Sequence, residues 1–332
     1  MRTFMLLLGL FSLVSCEKVL FEPDLASSDP YANFDYLWSQ LDARYSYFEL
    51  KNIDWEAVRV EYRSRISASM SEEELFDVIA DLLNELRDDH SNLFSPFNVS
   101  RYNIELQHPV NFNARTVEEF YLPEGRITGP FFHDFIADGE VGYIRYGSFS
   151  STIGAQSIAH VLDRYSETRG LVFDLRGNGG GSIVNVARLL ERFTDEPVQA
   201  GWFITRNGPA HGDFGERQDF SVTPADARRY TKPVMVLIDR GSYSATTMFA
   251  VAAKAFPNLT LVGDTTGGGG GLPNGGQLPN GWYYRFSVSQ LLDLNGENHA
   301  EDGVVPDIVA AFDWSDLTRD EIIDRAVEEL ID

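Results

Sequence analysis

Three stretches near the start of the chain place apolar residues at helical spacing: Phe34, Leu37, Leu41 and Tyr45; Trp55, Val58, Tyr62 and Ile66; Leu75, Ile79, Leu82 and Leu86. Residues three or four apart share one helix face, so each run predicts an amphipathic helix, and Ser71 with Glu74 predicts a capping box opening the third. These runs make a small N-terminal helical domain, assigned to residues 31–96, that ends just past Arg87-Asp-Asp-His-Ser91. Residues 97–140 read as connecting strands, with short strands expected at 104–106 and 131–136.

From Val141 the pattern changes. Apolar runs long enough for buried strands (141–146, 170–175, 233–238, 259–262) alternate with amphipathic stretches (153–165, 183–193, 245–256), and further strands are expected at 282–288 and 304–309 before a last helix at 321–330. Alternation of this kind predicts an α/β fold, a core of strands and helices over residues 141–332.

Two of these strands break into small residues. Leu171-Val-Phe-Asp-Leu-Arg-Gly-Asn-Gly-Gly-Gly181 ends in glycines that can leave backbone N–H groups free, and Asp239-Arg-Gly-Ser-Tyr-Ser-Ala-Thr-Thr-Met-Phe-Ala250 sets Ser244 at a helix start. Aligned peptide dipoles favour negative charge there. An anion hole and a nucleophile on adjacent strand ends would make a hydrolase. Ser244 is the candidate nucleophile and Ala245 a donor beside it, while Ser242, Thr246 and Thr247 compete as hydroxyls. Helix capping is the alternative role for all four. The glycine turn is open to three readings: an oxyanion hole, a dinucleotide-binding turn and a tight connection. Ser182 stands where the dinucleotide fingerprint needs its third glycine, and no Gly-Lys-Ser or Gly-Lys-Thr follows a glycine run, so nucleotide phosphate loops fail on spacing.

Charge narrows the field. With 27 Lys and Arg against 50 Asp and Glu in 332 residues, the formal net charge of −23 argues against nucleic acid as a partner and against electrostatic docking on anionic lipid. Arg2, the apolar run from Phe4 to Leu13 and the ending Leu13-Val-Ser-Cys16 predict a lipoprotein signal peptide at 1–15. Cys16, the only cysteine of the chain, is then the lipidated residue, with a tether to residue 30. The expected place is the bacterial cell envelope, periplasmic or surface-exposed, with the lipid anchor as the sole membrane contact. No metal site and no cofactor are implied, since no two histidines lie at helical ligand spacing.

A serine nucleophile needs a base, and the chain has six histidines. His90 ends the third helix among polar residues, where C-terminal capping is the plainer role. His299 lies close to Glu301 before Gly303-Val-Val-Pro-Asp307; His108, His133, His160 and His211 have no supporting constellation and read as surface or satisfied core positions.

Taken together the segments resemble the carboxy-terminal processing (tail-specific) serine peptidases. The resemblance rests on the ordered blocks Leu86-Arg-Asp-Asp-His-Ser91, Val141-Gly-Tyr-Ile-Arg145, Phe173-Asp-Leu-Arg-Gly-Asn-Gly-Gly-Gly181, Ser242-Tyr-Ser-Ala-Thr-Thr-Met-Phe-Ala250, Val262-Gly-Asp-Thr-Thr-Gly267 and Glu301-Asp-Gly-Val-Val-Pro-Asp-Ile308. It implies a crotonase/ClpP-like core and an acyl-transfer mechanism on a polypeptide substrate. Where relatives with a serine–lysine dyad carry their lysine, this chain has Gly269; Lys254 does not match it, and Thr247 replaces the usual glutamate. The resemblance is therefore to the tricorn-like branch with a histidine, without a peptide-binding PDZ insertion. It implies Ser244 as nucleophile, His90 as general base, Glu301 in support with Asp89 assisting, and an oxyanion hole of Ala245 with Gly179 or Gly180. Two rival functions stay open: an esterase pairing Ser244 with His299 and an acid such as Asp264, and a catalytically inactive peptide-binding lipoprotein.

Overall fold

The computed structural model describes residues 25–332. Cys16, the signal peptide and most of the tether lie outside the described residues.

The predicted helices form as α1 (Pro30–Arg44), α2 (Trp55–Arg63) and α3 (Glu72–Asn84), each with a side chain (Asp29, Asp54, Ser71) accepting a first-turn N–H; at α3 Glu74 reciprocates and completes the capping box. Along the chain follow β1 (Asn92–Phe94), β2 (Arg126–Thr128), β3 (Phe131–Ile136), β4 (Val141–Tyr146), α4 (Ala155–Arg164), β5 (Gly170–Asp174), α5 (Ile183–Leu190), β6 (Val198–Thr205), β7 (Gln218–Val222), β8 (Val234–Ile238), α6 (Ala245–Ala253), β9 (Leu259–Gly263), β10 (Pro273–Gln277), β11 (Tyr283–Ser287), β12 (Ser289–Leu292), β13 (Ile308–Val309) and α7 (Glu321–Ile331).

The central sheet has the order β13-β9-β8-β5-β4-β3-β2, parallel from β13 to β4 and antiparallel beyond. Its middle strands β5 and β8 are buried along their whole length because helices cover both faces. Alternate residues divide between the two layers. Leu171, Phe173, Val234 and Val236 pack with Val161 of α4, Val186 of α5 and Phe249 of α6, whereas Val172, Met235 and Leu237 pack with Ile322, Ile323 and Ala326 of α7.

The helical layer does not close its core by itself. Leu278, Trp282, Tyr284 and Phe286, from the β10–β11 hairpin, share one apolar cluster with Phe34, Leu37, Leu41 and Ile79. β1 adds to that hairpin in the order β1-β11-β10, pairing Asn92 with Arg285. Helical layer and α/β core are thereby tied by backbone hydrogen bonds, and the chain leaving α3 is held in register.

Two expectations differ from the structure. Residues 104–106 form no strand: Ile104–Gln107 is a 3₁₀ turn, because Asn103 takes a left-handed conformation and the N–H groups of Asn103 and Ile104 both go to the Asp89 carboxylate. The strand expected at 304–309 shortens to β13, since the N–H of Val304 is taken by the Thr266 hydroxyl rather than by a ladder.

Candidate active site

The site is set by strand neighbourhood. β5 and β8 are adjacent and parallel, Leu171 opposite Val234 and Asp174 opposite Leu237, so the loops after them leave the sheet side by side at its carboxyl edge. Side chains and carbonyls then lock one loop to the other. Asn178 accepts the Tyr243 N–H and the Thr246 hydroxyl at its carbonyl, the Gly180 N–H at Oδ1, and donates Nδ2 to the Tyr146 carbonyl. Asp239 accepts the Gly177 N–H, and Ser242 Oγ donates to the Leu175 carbonyl at 2.9 Å. Gly180 must be glycine: at φ +94° a Cβ would lie 2.8 Å from Ser244 Cβ and 2.9 Å from the Ala245 nitrogen.

Ser244 begins α6 with φ 58° and ψ −116°, a conformation that a residue with a side chain adopts only when its surroundings impose it. Its hydroxyl makes no capping bond. Oγ lies 2.9 Å from His90 Nε2 instead. The competing hydroxyls are spent on structure: Ser242 on Leu175, Thr246 on Asn178, and Thr247 on the Ser242 carbonyl and Thr266. His90 reaches Ser244 because Asp88 Oδ1 accepts the His90 N–H and turns the chain after α3, while the Tyr243 ring meets the imidazole edge-on at 5.1 Å. On the other side of the ring, Nδ1 is buried without a hydrogen-bond partner among the described residues, and the nearby Gly271 backbone favours a proton on the imidazole. A proton on Nδ1 leaves Nε2 free to accept from Ser244, the tautomer a base requires.

Among the described residues the N–H groups of Ala245 and Gly179 have no partner within the chain. The N–H of Gly180 does, at Asn178 Oδ1, 3.0 Å away. Of the three donors expected from sequence, Ala245 and Gly179 keep unpartnered N–H groups, whereas that of Gly180 is taken, and Gly180 allows the two loops to approach closely. The cleft in front of these groups holds about 550 Å³.

Behind His90 lies a charged cluster of Lys51, Asp88 and Glu301. Glu301 makes no hydrogen bond to His90. Its Oε1 is 2.5 Å from Nζ of Lys51, which also donates to the carbonyls of Leu86 at 2.9 Å and Arg87 at 2.8 Å, so Lys51 ties the turn that carries His90 to the loop that carries Glu301. Burial and the neighbouring Asp88 push the Glu301 carboxyl up to about 8, with Lys51 opposing. Burial acts on Asp88 in the same sense, but Lys51, His90 and the hydrogen bonds it accepts hold it below the usual carboxylate range. Asp89, assigned an assisting role, faces the cleft with both oxygens engaged by the Asn103 and Ile104 N–H groups, and so braces the cleft wall. At Gly269, where a dyad lysine would stand, a Cβ would meet the Tyr243 ring at 2.3 Å; tyrosine fills that space.

Lys51→Met should be strongly destabilising, because it takes from the buried Glu301 carboxyl and from the Leu86 and Arg87 carbonyls the donor they share; a loss of about 3 kcal/mol is expected from urea unfolding. Adding Glu301→Gln should recover part of it. A Lys51→Met chain with unchanged stability would mean the pair contributes nothing.

The remaining candidates fall elsewhere. His299 is exposed and its Nε2 bonds Glu297 at 2.9 Å, while Asp264 accepts from Asn111 and its own neighbour Thr265; neither lines the cleft around Ser244. Asp293, Glu297 and His299 bring ligand-type atoms within 4.8 Å of one another on that exposed loop. His133 is satisfied between Tyr165 and Thr128, and His211 bonds Asp42. Arg176, despite its place in the glycine turn, points away from the site: fully buried, it bridges Asp174 and Asp320, and Asp320 in turn caps α7. Lys254 pairs with Asp307.

Comparison with known proteins gives these features a setting. The profile of peptidase family S41 matches residues 140–310, and that of the tricorn protease C1 domain matches residues 29–84. Carboxy-terminal processing protease CtpA of Bacillus subtilis is 27% identical over 175 residues, covering 52% of this chain and 35% of that protein. CtpB of the same organism is 30% identical over 170 residues, covering 51% and 33%. The chain thus spans about a third of the length of these curated relatives. Among solved structures, a candidate peptidase from Parabacteroides merdae superposes with a TM-score of 0.88 at 37% identity, covering 92% of this chain and 98% of that one. Mature CPAF superposes with a TM-score of 0.70 at 13% identity, covering 91% and 96%, a likeness of fold alone.

Proposed function

The chain belongs to peptidase family S41, and from that premise we propose that it is a serine endopeptidase that cleaves polypeptides through an acyl-enzyme. One observation carries the reading: Ser244, in a strained conformation at a helix start, has its hydroxyl 2.9 Å from a buried imidazole nitrogen with two unpartnered N–H groups at hand. Ser244 Oγ attacks the peptide carbonyl as its proton passes to His90 Nε2. The carbonyl oxygen becomes an oxyanion received by the N–H groups of Ala245 and Gly179, a contribution of about 3 kcal/mol per donor in comparable sites. The imidazolium then protonates the leaving amine, and water deacylates Ser244 by the same base. Asp88, held ionised, supplies negative charge near the imidazolium without a side-chain bond to it, while Lys51 ties Glu301 to the turn that carries His90. Residues 13–16 support attachment to the cell envelope through a lipid on Cys16 as part of the same proposal.

The base works only when neutral. Burial holds the His90 imidazole below its ordinary value of 6.5, opposed by Asp88 and assisted by Arg285. A lowered pKa keeps the base deprotonated further into acid, so the acid limb of kcat/KM for a fluorogenic peptide should have its midpoint below 6.5. A midpoint above that value would contradict a buried His90 as base. Hydrolysis by the full chain of peptides with internal scissile bonds tests the activity itself: internal cleavage products are expected, and tight peptide binding without turnover would favour a binding role instead.

A further inference from the structure

Acidic residues outnumber basic ones almost two to one in this chain, 50 to 27, yet the cleft around Ser244 is lined by Arg101, Arg240 and Arg285. Arg240 is partly occupied, donating to the Thr266 carbonyl at 3.3 Å and lying 3.8 Å from Asp264. Arg101 and Arg285 have no carboxylate partner among the described residues. Of the two acids in the cleft wall, Asp89 is consumed by two backbone N–H groups, and Glu105 makes no ion pair.

Arg285 is also aimed. Its Nε donates to Oδ1 of the buried Asn92 at 2.7 Å, and its guanidinium stands 5.7 Å from the centroid of the Phe94 ring. Asn92 follows His90 by two residues, so the arginine is fixed to the same segment as the base, with both terminal nitrogens left to bind something else. Arg285 is exposed at the cleft wall, and the tether through Nε sets the direction of its guanidinium.

Resting on the peptidase reading above, we propose that Arg285, with Arg101, forms a carboxylate subsite, and that favoured substrates carry a carboxylate within a residue or two of the scissile bond. A guanidinium with two free nitrogens matches a carboxylate geometrically, and the contact strengthens as the bound peptide excludes water. The carboxylate comes either from an Asp or Glu side chain or from the free terminus of a short tail.

Binding to the full chain carrying Ser244→Ala separates this subsite from turnover. Fluorescent peptides of one sequence are compared with Glu or Gln flanking the scissile bond, each with a free or an amidated C-terminus. A carboxylate should tighten binding about tenfold, and the difference should vanish on adding Arg285→Met but survive in part on adding Arg285→Lys. A preference that follows Glu over Gln identifies a side chain as the source; one that follows the free terminus identifies the tail. Equal binding of all four peptides, or a preference unchanged by Arg285→Met, overturns the subsite. Hydrolysis of the same peptides by the unsubstituted chain reports separately on the peptidase reading.

Discussion

Ser244→Ala is expected to lower kcat/KM for peptide hydrolysis by on the order of 10⁵ while leaving the fold intact. The size of the effect follows from chemistry: without Oγ no covalent intermediate forms, and only the oxyanion donors and substrate binding remain. The fold should persist because the Ser244 hydroxyl caps nothing and contacts only the imidazole, while the backbone bonds on either side of it, Ser244 N–H to Gly268 and Met248 N–H to the Ser244 carbonyl, do not depend on the side chain. Thermal unfolding within a few degrees of the unsubstituted chain, together with loss of turnover, is the expected pair of results. Turnover retained above a tenth would remove Ser244 from the chemistry.

His90→Ala should cost nearly as much, on the order of 10⁵ in kcat/KM, because an un-ionised hydroxyl without a base is a poor nucleophile at neutral pH. His90 and Ser244 act as one unit, so the double substitution should be hardly worse than either alone. Strict additivity of the two losses would show that they serve separate steps. The comparison bears directly on His299: if the exposed imidazole were the base, His90→Ala would leave activity and His299→Ala would abolish it.

The parts of this account that could be read from sequence are those fixed by local pattern. The unbroken apolar runs of β5 and β8 signalled strands covered on both faces, and the glycine turn and Ser244 followed them directly. His90 is legible only through the resemblance of a short block, since its local surroundings fit a helix cap equally well. What the pattern hid depends on tertiary contacts. β10, Pro273-Asn-Gly-Gly-Gln277, has almost no strand signal and exists because β11 pairs with it; β6 and β7 likewise stabilise each other by antiparallel pairing. Lys51 stands in a loop 39 residues before His90, and nothing near it in sequence marks it as the cation of Glu301. Asp88 and Asp89 are adjacent and alike in sequence, and only the fold separates them: Asp88 accepts the His90 N–H, while the Asp89 carboxylate holds the cleft wall. That Gly180 gives its N–H to Asn178 is equally invisible without coordinates.

Acylation at Ser244, activated by His90, is the step on which the proposed mechanism depends. Reacting the full chain with a fluorophosphonate and mapping the adduct by mass spectrometry tests it most directly. One adduct is expected, on Ser244, formed at a rate that falls as pH drops below 6.5 and that collapses in His90→Ala. An adduct on Ser242, Thr246 or Thr247, or labelling of Ser244 at an unchanged rate in His90→Ala, would contradict it.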